Sequence, residues 1–96
     1  MAIRTSDRSA ERRDCSDSEA IALQALVWIL SEPARADRLL GLTGLSPDDL
    51  RARIGDPHLL VAALQFLSSH EPDLIACAAE LEMKPERILA AERVLA

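Results

Sequence analysis

Residues 20–30, AIALQALVWIL, are apolar at ten of eleven positions, with Gln24 the exception. A helix that is apolar around its whole circumference has to be covered around its whole circumference. A second run, LLVAALQFL at residues 59–67, makes the same demand. The rest of the chain reads as cover for these two segments.

Composition decides that the runs are helices. The chain has one Trp, one Phe and no Tyr, and its apolar residues are mostly Leu and Ala. Few β-branched and aromatic side chains argue against a sheet, and abundant Ala, Leu, Glu and Arg argue for helices. A length of 96 residues makes one domain. Neither run reaches the roughly 20 residues needed to cross a bilayer. The first also lies too deep in the chain, and too poorly flanked, to be a secretory signal. The formal net charge of -5 repels phosphate backbones and anionic lipid, which disfavours nucleic acid and membranes as partners. Without an extracellular signal, Cys15 and Cys77 are expected to be reduced thiols in the cytoplasm.

Proline sets the helix boundaries. Residues 1–15 alternate Arg4, Arg8, Arg12 and Arg13 with Asp7, Glu11 and Asp14, and are expected to form a flexible tail. Order is expected over 16–96, where Ser16 and Glu19 have capping-box spacing at the start of a first helix running to about residue 31. The chain has five prolines, 33, 47, 57, 72 and 85, and each follows a plausible helix entrance. Proline is tolerated at the first helical position, where its missing N–H has no partner to lose. Five prolines therefore predict five further helices, over 33–43, 47–54, 57–69, 72–81 and 85 to near the end. Ser46 with Asp48 and Asp49 makes a capped, acidic first turn, and Leu45 with Leu50 has staple spacing. Gly44 and Gly55 fall just past helix ends, where a left-handed residue is wanted. Leu39, Leu40 and Leu42 are expected to face inward, with Arg35, Asp37 and Arg38 outward. On the fifth helix Leu74, Ile75, Ala78, Ala79 and Leu81 form the apolar side.

The pattern predicts an all-α, compact bundle of about six short helices. Weak internal similarity suggests two three-helix units: Ala22-Leu23-Gln24 recurs as Ala63-Leu64-Gln65, Glu32-Pro33 as Glu71-Pro72, and Leu45-x-Pro47 as Met83-x-Pro85. On that reading the first and fourth helices pack as a central pair.

Chemistry is hard to find. The imidazoles are His58 and His70, expected respectively on the surface and near a helix C-terminus, where a cation meets the dipole. Neither belongs to a nucleophile motif. No CxxC, HxxxH or HExxH spacing is present for a metal, and Cys77 among alanines reads as a small buried hydrophobe. Asp48, Asp49, Asp73 and Glu86 sit in first turns and serve helix-end electrostatics. The three glycines form no phosphate loop. The sequence thus nominates no catalytic, cofactor-binding or metal-ligating residue, and the expectation is a protein that is not an enzyme.

Three stretches, EAIALQALVWILSEP, RLLGLTGLSPDDLRARIGDPHLLVAALQFL and HEPDLIACAAELEMKPERI, carry a resemblance over residues 19–94. The chain resembles a family of small alphaproteobacterial proteins catalogued as a domain of unknown function. The resemblance implies a small helical cytoplasmic bacterial protein and brings no catalytic residue with it.

Two readings of the apolar surplus follow. Either six helices cover both runs, with Trp28 and Phe66 filling the core, or apolar surface is left over for a protein partner or a second copy. The latter makes the chain a protein-interaction module or homodimer working beside the first or fourth helix. The alternative function is a DNA-associated regulator using a helix-turn-helix-like pair at 33–54. Asp48 and Asp49 at the start of its second helix oppose that alternative.

Overall fold

The computed structural model describes the backbone of residues 2–96 and the side chains of residues 16–96. Six helices follow one another: α1 (Ala2–Leu30), α2 (Pro33–Thr43), α3 (Pro47–Ala52), α4 (Pro57–Ser68), α5 (Glu71–Glu80) and α6 (Pro85–Leu95). The described residues contain no strand, so the chain is an all-α bundle.

Each proline opens a helix as the sequence predicts, with one adjustment. Pro72 takes the second position of α5, behind Glu71, with His70 as the cap residue. The second position is equally harmless, because the first four helical N–H groups have no intrahelical partner. α3 carries a full capping box: Ser46 Oγ accepts from the Asp49 N–H at 3.1 Å, and Asp49 Oδ2 accepts from the Ser46 N–H at 3.4 Å. Asp56 caps α4 by accepting the His58 N–H at 2.8 Å. Gly44 ends α2 in the left-handed conformation at φ 72°, its N–H donating to Leu40 O at 2.8 Å. α5 ends the same way on a residue that is not glycine. Glu82 adopts φ 55°, and the Glu82 and Met83 N–H groups donate back to Ala79 O and Ala78 O at 3.2 and 2.9 Å. That pair of bonds is a Schellman closure, and its usual hydrophobic contact is present in Met83, which packs on the core.

The start of α1 departs from expectation. The helix begins at Ala2, so Ser16 and Glu19 lie in its interior and cap nothing. The physical reason is that no proline or glycine precedes Pro33. A helix nucleated on residues 20–30 meets no breaker when it propagates towards the N-terminus. Residues 2–15, expected as part of a flexible tail, continue α1 as helix, and their side chains lie outside the described residues.

The core lies where α1, α4 and α6 meet, each packed on the other two. Leu26 and Ile29 of α1, Leu64 and Leu67 of α4, and Ile88 of α6 are fully buried there. Each such side chain stabilises the fold by roughly 1.5–3 kcal/mol. α5 closes over α4 and α6 with Leu74, Cys77 and Ala78, and α2 reaches α1 and α4 through Leu39. α1 and α4 do pack together, as a central pair would. The two halves are not equivalent, however. α6 completes the core, whereas its counterpart α3 stays at the periphery, six residues long and anchored by Leu50.

Candidate functional site

Local geometry places the polar groups of interest at helix corners. At the α1–α2 corner the Arg35 guanidinium donates to Trp28 O at 2.9 Å, to Ser31 Oγ at 3.1 Å and to Glu32 Oε2 at 2.7 Å. It lies 3.7 Å above the Trp28 ring. Arg35 is therefore half-buried, not outward as expected, and Trp28 is a half-buried platform for a cation instead of a core filler. Phe66, by contrast, is buried as expected.

At the α4–α5 corner Asp73 Oδ2 accepts from Arg38 Nη2 at 3.0 Å, and His70 Nδ1 lies 3.1 Å from the same oxygen. Its side chain is 15% exposed. His70 thus serves the entrance of α5 more than the exit of α4, because a carboxylate in that first turn draws its ring. No hydroxyl or thiol bonds to the His70 ring among the described residues, so the pair stands without a nucleophile. His58 is exposed, 3.9 Å from Asp56. The two imidazoles occupy opposite ends of α4.

Cys77 is a free thiol, fully buried. Burial pushes it up from 9.0 to about 11, with the Asp73 carboxylate adding to the rise and the Arg35 guanidinium opposing it. A thiol held this firmly protonated packs as an apolar group and is a poor nucleophile. The side chain of Cys15 lies outside the described residues. Among the described residues no cluster of three or more His, Cys, Asp or Glu side chains is placed to hold a metal.

What remains is exposed apolar surface. Residues 20, 23, 24 and 27 form one face of α1, and all are exposed. Leu23 is 36% and Val27 68% exposed. The expectation that α1 would be covered all round is therefore corrected: α2, α4 and α6 wrap one side and leave the other to solvent. Leu42, expected to face inward, is 73% exposed on α2. Ile54, Ile75 and Val94 are also exposed, and so is Ala79. Ile75 and Ala79 leave the apolar side expected of α5, because Leu74, Cys77 and Ala78 already fill the contact with α4 and α6.

Leu42 stands between two clefts along the α2–α4 boundary. One, of about 280 Å³, has Leu45, Leu59 and Ala62 on its apolar side and Arg53, Asp56 and His58 on its polar side. The other, of about 360 Å³, has Phe66 and Gly41 below Arg38 and His70. The Arg38 guanidinium sits 5.2 Å from the Phe66 ring. The α2–α3 pair considered for DNA shows the acidic first turn seen in the sequence, with Asp48 almost fully exposed and Asp49 committed to the cap. That end offers phosphate a repulsive face.

These features sit within a family already defined by sequence. The chain belongs to the family described as Protein of unknown function (DUF3572), whose model matches residues 15–96. No curated protein and no solved structure matches it. The match takes in the described side chains from Ser16 onward, so the core, both clefts and the exposed face of α1 are all family territory. Among the described residues no helix is long and apolar enough to cross a membrane.

Proposed function

We propose that the protein is a non-enzymatic interaction module that pairs with a second copy of itself through the exposed face of α1. The observation that carries this reading is the exposure of Leu23 and Val27, one turn apart on a helix that is otherwise the centre of the core. Burying such a pair against another chain removes apolar area from water without disturbing the bundle.

Charge supports a second copy as the occupant. Each chain carries a formal net charge of -5, so two copies repel over most of their surface. Residues 20–31 contain no charged side chain. The face formed by Ala20, Leu23, Gln24 and Val27 therefore lets two copies meet without setting carboxylates of this face against each other. A two-fold axis across it sets the same residues against one another, and a self-complementary patch needs no second recognition surface. Free, buried Cys77 suits a reducing compartment, in keeping with a cytoplasmic protein.

Light scattering on the purified chain tests the reading. The expected result is a mass that rises from monomer to dimer across the micromolar range, and a Val27→Glu variant that stays monomeric. A strict monomer to high micromolar concentration would defeat it.

A further inference from the structure

We propose that two copies pair antiparallel along α1, with Leu23 set against the partner's Ala20 and Val27 against the partner's Ser16. The arrangement rests on the self-association proposed for α1 and gives it a direction and a register.

The exposed face of α1 has the repeat of a coiled coil. Ser16, Ala20, Leu23 and Val27 follow one another at intervals of four, three and four residues, and all are exposed. That alternation keeps one stripe of a helix turned towards a neighbouring helix. The two ends of the stripe differ in size, Ser16 and Ala20 being small and Leu23 and Val27 large. A parallel pair would set like against like, with two large layers holding the helices apart and two small layers left with a gap. An antiparallel pair sets large on small in every layer, so that all four fill at one helix separation.

Charge favours the same direction and fixes the register. The next position of the stripe towards the N-terminus is Arg13, so a parallel pair would bring two arginines into one layer. In the antiparallel register Arg12 and Arg13 come level with the last turn of the partner's α1. That turn contains no basic residue, and a cation is favourable at the negative end of a helix. Asp17 and Glu19, exposed at the flanks of the stripe, come level with the partner's Leu26 and the partner's Gln24, which are uncharged. Sliding the pair by one heptad in one sense would bring Asp17 level with the partner's Glu19 and Leu23 level with the partner's Arg13. Sliding it in the other sense would set Leu23 on the partner's Val27 and carry Ser16 past the end of the partner's α1.

Disulfide trapping in the full-length chain tests the arrangement. In a Cys15→Ser background, with Cys77 buried, chains carrying Ser16→Cys are mixed with longer-tagged chains carrying Val27→Cys and oxidised mildly. A disulfide needs Cα atoms within about 7 Å, and in the antiparallel pair position 27 of one copy lies about 16 Å along the axis from position 27 of the other. The expected product is the mixed disulfide, in at least about fivefold excess over either homodisulfide. A dimer by light scattering that gives mainly homodisulfides would overturn the direction and leave self-association standing. A dimer trapped at neither position would overturn the use of the α1 face, and a strict monomer would overturn self-association and the arrangement together. A compensating exchange reads the register separately. Ser16→Leu alone, which sets Leu on Val, should weaken dimerisation by about tenfold, and adding Val27→Ala should restore it to within about threefold of the parent. Additive effects of the two changes would place them in separate layers and overturn the register. Both positions are exposed, so circular dichroism spectra of all variants should match the parent.

Discussion

The apolar run of α1, residues 20–30, and α4 are alike in composition and differ as surfaces. Both carry Ala-Leu-Gln within an apolar run. α4 buries Leu59, Leu60, Ala63, Leu64, Phe66 and Leu67, and Val61 and Ala62 are half-covered. α1 buries Ile21, Ala22, Ala25, Leu26 and Ile29, yet Leu23 and Val27 face water. The difference is the number of neighbours. α1, α2, α5 and α6 surround α4, whereas α1 is met by α2, α4 and α6 from one side. Hydrophobicity states how much cover a helix wants; the arrangement of its neighbours states how much it receives. The proposed self-association rests on this shortfall on α1.

The comparison can be broken most forcefully in the core. Leu64→Ala should destabilise the chain by about 2–5 kcal/mol in urea unfolding, and Leu23→Ala by about 0.5 kcal/mol or less. Adjacent residues on α1 repeat the test, since Leu26 is buried and Val27 is not. Equal losses at Leu64 and Leu23 would mean that both helices are covered alike.

Alkali probes the cover that α5 gives to α4. The Cys77 thiol stands at about 11 in the folded chain against 9.0 for an ordinary thiol. Between these values the unfolded chain holds fewer protons than the folded one, so stability falls as pH rises. The contribution is complete below pH 9 and lost as pH passes about 11, amounting to at most about 2–3 kcal/mol. Urea midpoints measured across this range should fall in the parent and fall less in Cys77→Ala. A parallel decline in both would show that Cys77 is not shielded.

The peripheral α3 sharpens the contrast at a smaller scale. With Leu50 as its buried residue, it relies on its capping box. Ser46→Ala should cost about 1 kcal/mol, and hydrogen exchange should report the loss in α3 before the core. Smallest of all, Val27→Glu should leave the stability of the monomer within about 0.5 kcal/mol while removing any dependence of the melting temperature on protein concentration.

Much of the fold was legible because its signals are local. Proline positions and the Ser46 and Asp56 caps act over a single turn, and they locate five of the six helix starts to within one residue. The left-handed end of α5 was not legible, because Glu82 carries no glycine signal and its conformation depends on Met83 reaching the core. The beginning of α1 was misplaced because Ser16 and Glu19 have cap chemistry without a helix end to cap. The exposed apolar faces were visible only as a surplus. Apolar residues at helical spacing look the same whether a neighbour lies over them or not, so spacing alone turns Leu42 and Ile75 inward. Spacing alone turns Arg35 outward, because its partners, Trp28 O and Ser31 Oγ, lie across a turn whose path the sequence does not encode in any short motif.

By itself the sequence determined the number of helices, where most of them begin, and the presence of more apolar surface than a small bundle readily hides. Those properties follow from backbone sterics, capping and composition, which act within a few residues. Only the tertiary structure decided which helix was left partly bare, that α6 and not α3 completes the core, and that two clefts flank Leu42. Those outcomes depend on how rigid helices share a limited perimeter of contact, and no residue carries that information alone.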